Sequence, residues 1–186
     1  MKDLFFKKVT ICGHRLNGAV VACVLSVFIV ILMVYMLGKS SEQHNLTTEA
    51  LDISRTIRTA FQAKPDYRGL NNTYLIEHTL LEPSLIRQNK IFSRFQSEIL
   101  IGRDEQGHST IAGDTHFVIT YKNIDRRKCL TLLSSDFDAT SGLNAIKLIN
   151  DNTYDLTYGG ELSLPVSKDK ADTLCRARNT LVLIFE

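Results

Sequence analysis

Between Ala19 and Leu37 the chain reads AVVACVLSVFIVILMVYML, a run without a charge in which only Ser26 and Tyr35 carry side-chain hydroxyls. As a helix rising ~1.5 Å per residue it is about 28 Å long, close to the thickness of a bilayer's hydrocarbon core. A small domain has no interior able to hide such a segment. The run therefore predicts a helix that crosses a membrane or packs into the core of a filament, and it excludes an ordinary cytosolic protein. Lys2, Lys7, Lys8 and Arg15 precede it, whereas Lys39 and Glu42 follow it and cancel. The positive-inside rule then places the N-terminus in the cytoplasm and everything after Gly38 outside it. A cleavable secretory signal is the competing reading, but its apolar core is shorter, and residues Tyr35 to Ser40 offer no small-x-small cleavage site.

Beyond a polar break at Lys39 to Gln43, apolar residues recur at Leu46, Ala50, Ile53, Ile57 and Ala60, joined by Phe61. Steps of four, three, four and three trace one face of a helix. Thr47, Glu49, Asp52, Arg55, Arg58 and Gln62 are assigned to the opposite, polar face, and Pro65 closes the segment. The expectation is one long helix over 14–63, apolar in its transmembrane half at 19–37 and amphipathic in its second half, where it rests on a globular part at 64–186.

That globular part opens with KPDYRGLNNT at 64–73, dense in turn formers, followed by a short helical stretch from Tyr74 to Leu81 before Pro83. Strands are predicted at Ser97–Ile101, His116–Tyr121, Asn144–Ile149, Tyr154–Tyr158 and Thr180–Phe185. Gly102, Gly107, Gly113 and Gly159-Gly160 punctuate them, which suits an antiparallel meander. Helices are predicted at Arg127–Leu133 and at Lys168–Ala177, the second entered through Pro165 with Ser167 as its cap. The fold class is α+β, a long N-terminal helix packed on an antiparallel sheet.

Lys and Arg number 22 against 20 Asp and Glu, a formal net charge of +2, so no global basic excess points to nucleic acid as a partner. Of four cysteines, Cys12 and Cys23 lie at or inside the apolar segment. Cys129 and Cys175 are the exported pair, and an oxidising compartment predicts a disulfide between them; two buried free thiols are the alternative if the orientation is reversed. Neither has a second cysteine or a histidine at zinc-ligand spacing, and no metal or cofactor is expected.

The chain has no H-E-x-x-H, G-x-S-x-G, Gly-rich phosphate loop or C-x-x-C, and no catalytic residue is assigned. His14, His44, His78, His108 and His116 are scattered through polar or turn surroundings. Asp136 and Asp138 lack the further oxygen ligands of a calcium loop and are read as a turn. The run Asp125 to Lys128 is read as the charged start of the helix that carries Cys129.

A basic leader, a glycine at 13, a long apolar helix, an amphipathic stem and a head with two late cysteines together resemble the type IVb pilins of Gram-negative bacteria. Ile57 to Leu70, IRTAFQAKPDYRGL, is similar to the end of the pilin stem helix and its Y-x-G-L turn in bundle-forming pilins. FVITYKNIDRRKCLTLL at 117–133, LPVSKDKADTLC at 164–175 and the closing strand NTLVLIFE are similar to the disulfide-closed end of such heads. The resemblance implies a leader at 1–13, cut by a prepilin peptidase between Gly13 and His14, and other pilin subunits as partners through the N-terminal helix. It also implies an inner-membrane stage before the extracellular pilus. Its fifth mature residue is normally a glutamate that pairs with a neighbour's amine, and here that position is Gly18. The departure implies a minor subunit, active in assembly and surface attachment. A membrane-anchored protein with a periplasmic binding or sensing head, never polymerised, is the alternative from another class.

Overall fold

A computed structural model of the chain describes residues 9–11, 14–16, 27, 29, 46–137 and 141–186. These fall into two units, Met1–His44 and Asn45–Glu186. In the first, β1 (Val9–Ile11) pairs antiparallel with β2 (His14–Leu16), with Ile11 opposite His14 and Val9 opposite Leu16. The helix expected to begin at residue 14 therefore does not include His14–Leu16. Val9, Thr10 and Ile11 are β-branched and favour an extended partner over a helix start. Within the apolar run, Val27 and Ile29 are helical and exposed; the remainder of the run, with Cys12, Gly13, Gly18 and Cys23, lies outside the described residues. No helix among the described residues is long and apolar enough to cross a membrane.

The second unit begins with helix α1 at 46–61, then α2 (Asn72–Glu77) and a 3-10 turn at Pro83–Leu85. There follow β3 (Ile86–Arg87), β4 (Lys90–Phe92), β5 (Glu98–Gly102), β6 (Phe117–Ile124) and α3 (Arg126–Leu133). The chain ends with β7 (Leu143–Ile149), β8 (Thr153–Thr157), α4 (Lys168–Leu174) and β9 (Asn179–Phe185). All neighbouring strands are antiparallel, in the order β3-β4-β5-β6-β9-β7-β8.

The sheet is not a simple meander, because β9 enters its middle, between β6 and β7. Its sequence explains the position: Leu181, Val182, Leu183 and Phe185 are buried in succession, and a strand apolar on both faces belongs at the centre of a sheet. Register aligns Ile99, Tyr121, Leu181 and Leu148 across four strands, and beside them Ile101, Ile119, Leu183 and Ile146. Strand side chains alternate faces, so these fully buried residues make one continuous apolar surface. The stripe of α1, Leu46, Ala50, Ile53, Ile57 and Phe61, joins the same core.

Two strands of this sheet, like β1 and β2 before them, are not marked in the sequence. β3 and β4 form a hairpin through Gln88 and Asn89, whose φ values of 50° and 61° give the doubly left-handed turn usually signalled by Asn-Gly. Gln-Asn hides that signal. Helix α2 starts and stops earlier than expected because Asn71 caps it, accepting the Tyr74 N–H at 2.8 Å. Asn72 then acts as a strand partner for β5: its amide donates to Ile99 O at 2.8 Å and its carbonyl accepts from Ile101 N at 2.7 Å. Helix α4 ends at Leu174 rather than Ala177, and Ser167 precedes it without a side-chain capping bond.

Candidate functional site

The residues that fasten α1 to the head, and those that close its C-terminal loop, form the two places where the sequence assigned a role. Along α1 the apolar stripe is interrupted by Glu49, which is 7% exposed and not on the polar face where the sequence reading put it. Position 49 is three beyond Leu46 and four before Ile53, so helical spacing itself turns it inward. Its Oε2 accepts the Arg94 N–H at 2.9 Å, while Oε1 has no hydrogen-bond partner. Burial raises the Glu49 pKa above its ordinary value, against the pull of Arg94. The fully buried Tyr121 of β6 meets it; burial and then the Glu49 charge push the phenol's pKa well up.

Further along, the Arg58 guanidinium donates to Ser141 O, and Thr47 Oγ1 lies 2.9 Å from Ser135 Oγ. Gly142, at φ 68°, leaves room for Arg58: a Cβ there would sit 2.8 Å from Glu186 O and closer still to the guanidinium. At the helix end Phe61 contacts Tyr67 and Tyr74 with centroids 5.5 and 5.2 Å apart, and the Lys64 ammonium lies 4.1 Å from the Phe61 centroid.

The Tyr67-Arg68-Gly69-Leu70 turn follows directly. Its fastening residue is Thr110, which no sequence signal marked. Thr110 Oγ1 accepts the Leu70 N–H at 2.8 Å and donates to Tyr67 O, and its backbone exchanges bonds with Gly69 and Leu70. Gly69, at φ 84°, takes the left-handed conformation that glycine permits.

The second place is the loop between α3 and α4. Cys129 and Cys175 are joined in a disulfide, Cα atoms 6.0 Å apart, as the exported-pair reading expected. Asp125 caps α3 by accepting the Lys128 N–H at 2.9 Å, and its carboxylate meets the Lys128 ammonium at 2.6 Å. Partial burial opposes ionisation of Asp125, but those bonds outweigh it and hold its pKa below the usual carboxylate value. Val166 N–H donates to Leu133 O and Arg126 pairs with Asp172 at 2.8 Å, so the two short helices are tied at several points besides the sulfurs.

Asn179, 2% exposed, is the polar centre of this end. Its amide donates to Ile124 O at 3.1 Å and Arg176 O at 2.7 Å, and its carbonyl accepts from Arg176 N at 2.8 Å and Asn150 Nδ2 at 3.1 Å. All its hydrogen-bonding capacity is used, which satisfies the rule for a buried amide. One faint sign of it stands in the sequence, a polar pair, Asn179-Thr180, opening an otherwise apolar strand.

Other residues weighed for chemistry lie apart. His78, His108 and His116 are exposed; His108 pairs with Asp104 at 2.7 Å and His78 stacks on Tyr74. Asp136 is exposed and Asp138 is outside the described residues. Among the described residues no cluster of His, Cys, Asp and Glu is placed to hold a metal ion.

The head is thus a helix laid on an antiparallel sheet whose last strand is central, closed by a late disulfide. The model for Bundlin aligns with residues 39–181. The chain belongs to this family, the type IVb pilins. Among solved structures the pilin is similar to a type IVb pilin from Salmonella typhi, with a TM-score of 0.50 at 16% identity, covering 74% of this chain and 95% of that one. TcpA, a type IV pilin from Vibrio cholerae El Tor biotype, gives a TM-score of 0.46 at 11% identity, covering 75% and 98%. No curated protein sequence matches the chain. At such identity the Salmonella structure speaks for the fold alone.

Proposed function

We propose that this pilin is a minor structural subunit of a type IVb pilus, working in pilus assembly and surface attachment and performing no catalysis. A prepilin peptidase removes residues 1–13, freeing His14. The chain waits in the inner membrane through the apolar run at 19–37, N-terminus in the cytoplasm and head in the periplasm, and then enters the extracellular filament by packing that run against other subunits.

The observation that carries this reading is the one-sided burial of α1 in a head of the Bundlin family. Leu46, Ala50, Ile53, Ile57 and Phe61 are all buried in the head's core, so the head holds the amphipathic half of the helix, and the uncharged sequence of 19–37 is left to find an apolar environment of its own. That run needs lipid or its own kind. Gly18 supports the low copy number: a buried carboxylate in a filament core is costly without a positive partner in each neighbour, and this chain lacks the carboxylate and its attraction alike. Pairing of β1 with β2 on either side of Gly13 favours the second reading, an anchored protein that keeps its N-terminus and does not polymerise.

Gly13→Ala separates the two. In cells with an active peptidase it should slow cleavage strongly and leave the longer precursor on a gel, whereas equal mobility of wild type and variant would remove the processed-subunit reading. Quantitative mass spectrometry of sheared pili should find the chain as a small fraction of the major subunit; a chain making up most of the mass would refute the minor role.

A further inference from the structure

We propose that Glu49 is an acid-responsive clamp, tightening the grip of the head on α1 when its carboxylate takes up a proton. A groove of about 160 Å³ between α1 and residues 80–94, walled by Asp52, Glu82 and Arg94, reaches Glu49 from solvent. Protons can therefore arrive without unfolding. In the ionised state a side chain only 7% exposed carries a full negative charge, and one of its two oxygens, Oε1, has no hydrogen bond. The groups facing it are Arg94 from the β4–β5 turn, Glu82 from the chain before the 3-10 turn, and Tyr121 from β6. Arg94 attracts the charge but divides its own between Glu49 and Glu82, whose Oε2 it meets at 3.2 Å. Glu82 disfavours a second negative centre, while the Tyr121 hydroxyl pulls the carboxyl the other way, toward its ionised form.

The buried Tyr121 hydroxyl pulls the carboxyl toward its ionised form, but burial outweighs that pull. A proton taken from solvent onto Oε1 removes the buried charge, while Oε2 keeps the Arg94 N–H. Because the carboxyl is harder to ionise in the folded head than in the open chain, attachment strengthens as pH falls toward its ordinary value of 4.5 and weakens as pH rises.

The test is hydrogen exchange of the α1 amides at 46–61 in the full chain in detergent, converted to protection factors between about pH 7 and about pH 4. Wild type should gain ~tenfold in protection for each unit by which the folded pKa exceeds that of the open chain. Glu49→Gln should lose that gain, and Glu82→Gln, altered in the same groove, should keep it. Should Glu49→Gln fail to fold, a carbon-13 titration of the wild-type Glu49 carboxyl decides: a midpoint above 4.5 supports the clamp. Equal pH dependence in wild type and Glu49→Gln, or a midpoint at or below 4.5, would overturn it.

Discussion

The head holds its first helix and its last two helices by opposite means. Helix α1 is kept in place by an apolar stripe with one buried carboxylate in its midst, and no covalent link among the described residues ties it to the sheet. Helices α3 and α4 bury less, and are closed by a disulfide, a capping aspartate and the fully bonded Asn179. One attachment responds to solvent conditions through desolvation; the other is fixed by covalent and hydrogen bonds.

Changes that break each attachment should leave the other standing. The largest effect is expected from Cys175→Ser: opening a loop with a sequence separation of 46 costs about 4 kcal/mol in the chain-entropy model. Denaturant titration reads the loss, and hydrogen exchange should place the new opening at α3 and α4 before α1. Ile57→Ala removes a fully buried branch of the α1 stripe, with an expected cost of about 3 kcal/mol. Here the amides of α1 should exchange first and the disulfide stay intact, so simultaneous loosening of both ends would break the comparison.

Asn179→Ala leaves the carbonyls of Ile124 and Arg176 without their donor, at an expected ~2 kcal/mol, and should equal the disulfide variant in location though not in size. The smallest change is Asp125→Ala, which removes the α3 cap for about 1 kcal/mol. Its pH behaviour sharpens the contrast. Asp125 ionises more readily when folded, so its contribution is present above its ordinary value of 3.8 and fades as pH falls through the lower folded value. Glu49 acts in the reverse direction, gaining as pH falls toward 4.5. Melting curves of the two variants against wild type should therefore diverge with opposite slopes on acidification; slopes of one sign would show that the two attachments do not differ as described.

Strongly patterned features were legible in the sequence. The α1 stripe, the five longer strands, both late helices and the Cys129–Cys175 bridge follow from spacing, turn residues and compartment, because each rests on many residues agreeing. What was missed rests on single side chains. Glu49 looked like surface because its type is polar, although its spacing was that of the core. Thr110 and Asn179 act through tertiary hydrogen bonds that bring together segments 40 and 55 residues apart, which no local window contains. The β3–β4 hairpin is two to three residues a side and turns on Gln-Asn, too short for alternation to register. The central place of β9 is legible in its unbroken apolar run, although turn residues alone suggest a simpler meander.

The intact mass of the chain recovered from sheared filaments tests the central claim most directly, since it reports assembly, processing and the bridge together. The account predicts a filament-associated species that begins at His14 and weighs two hydrogens less than the reduced chain from 14 to 186. A full-length species confined to the membrane fraction and absent from filaments would contradict it.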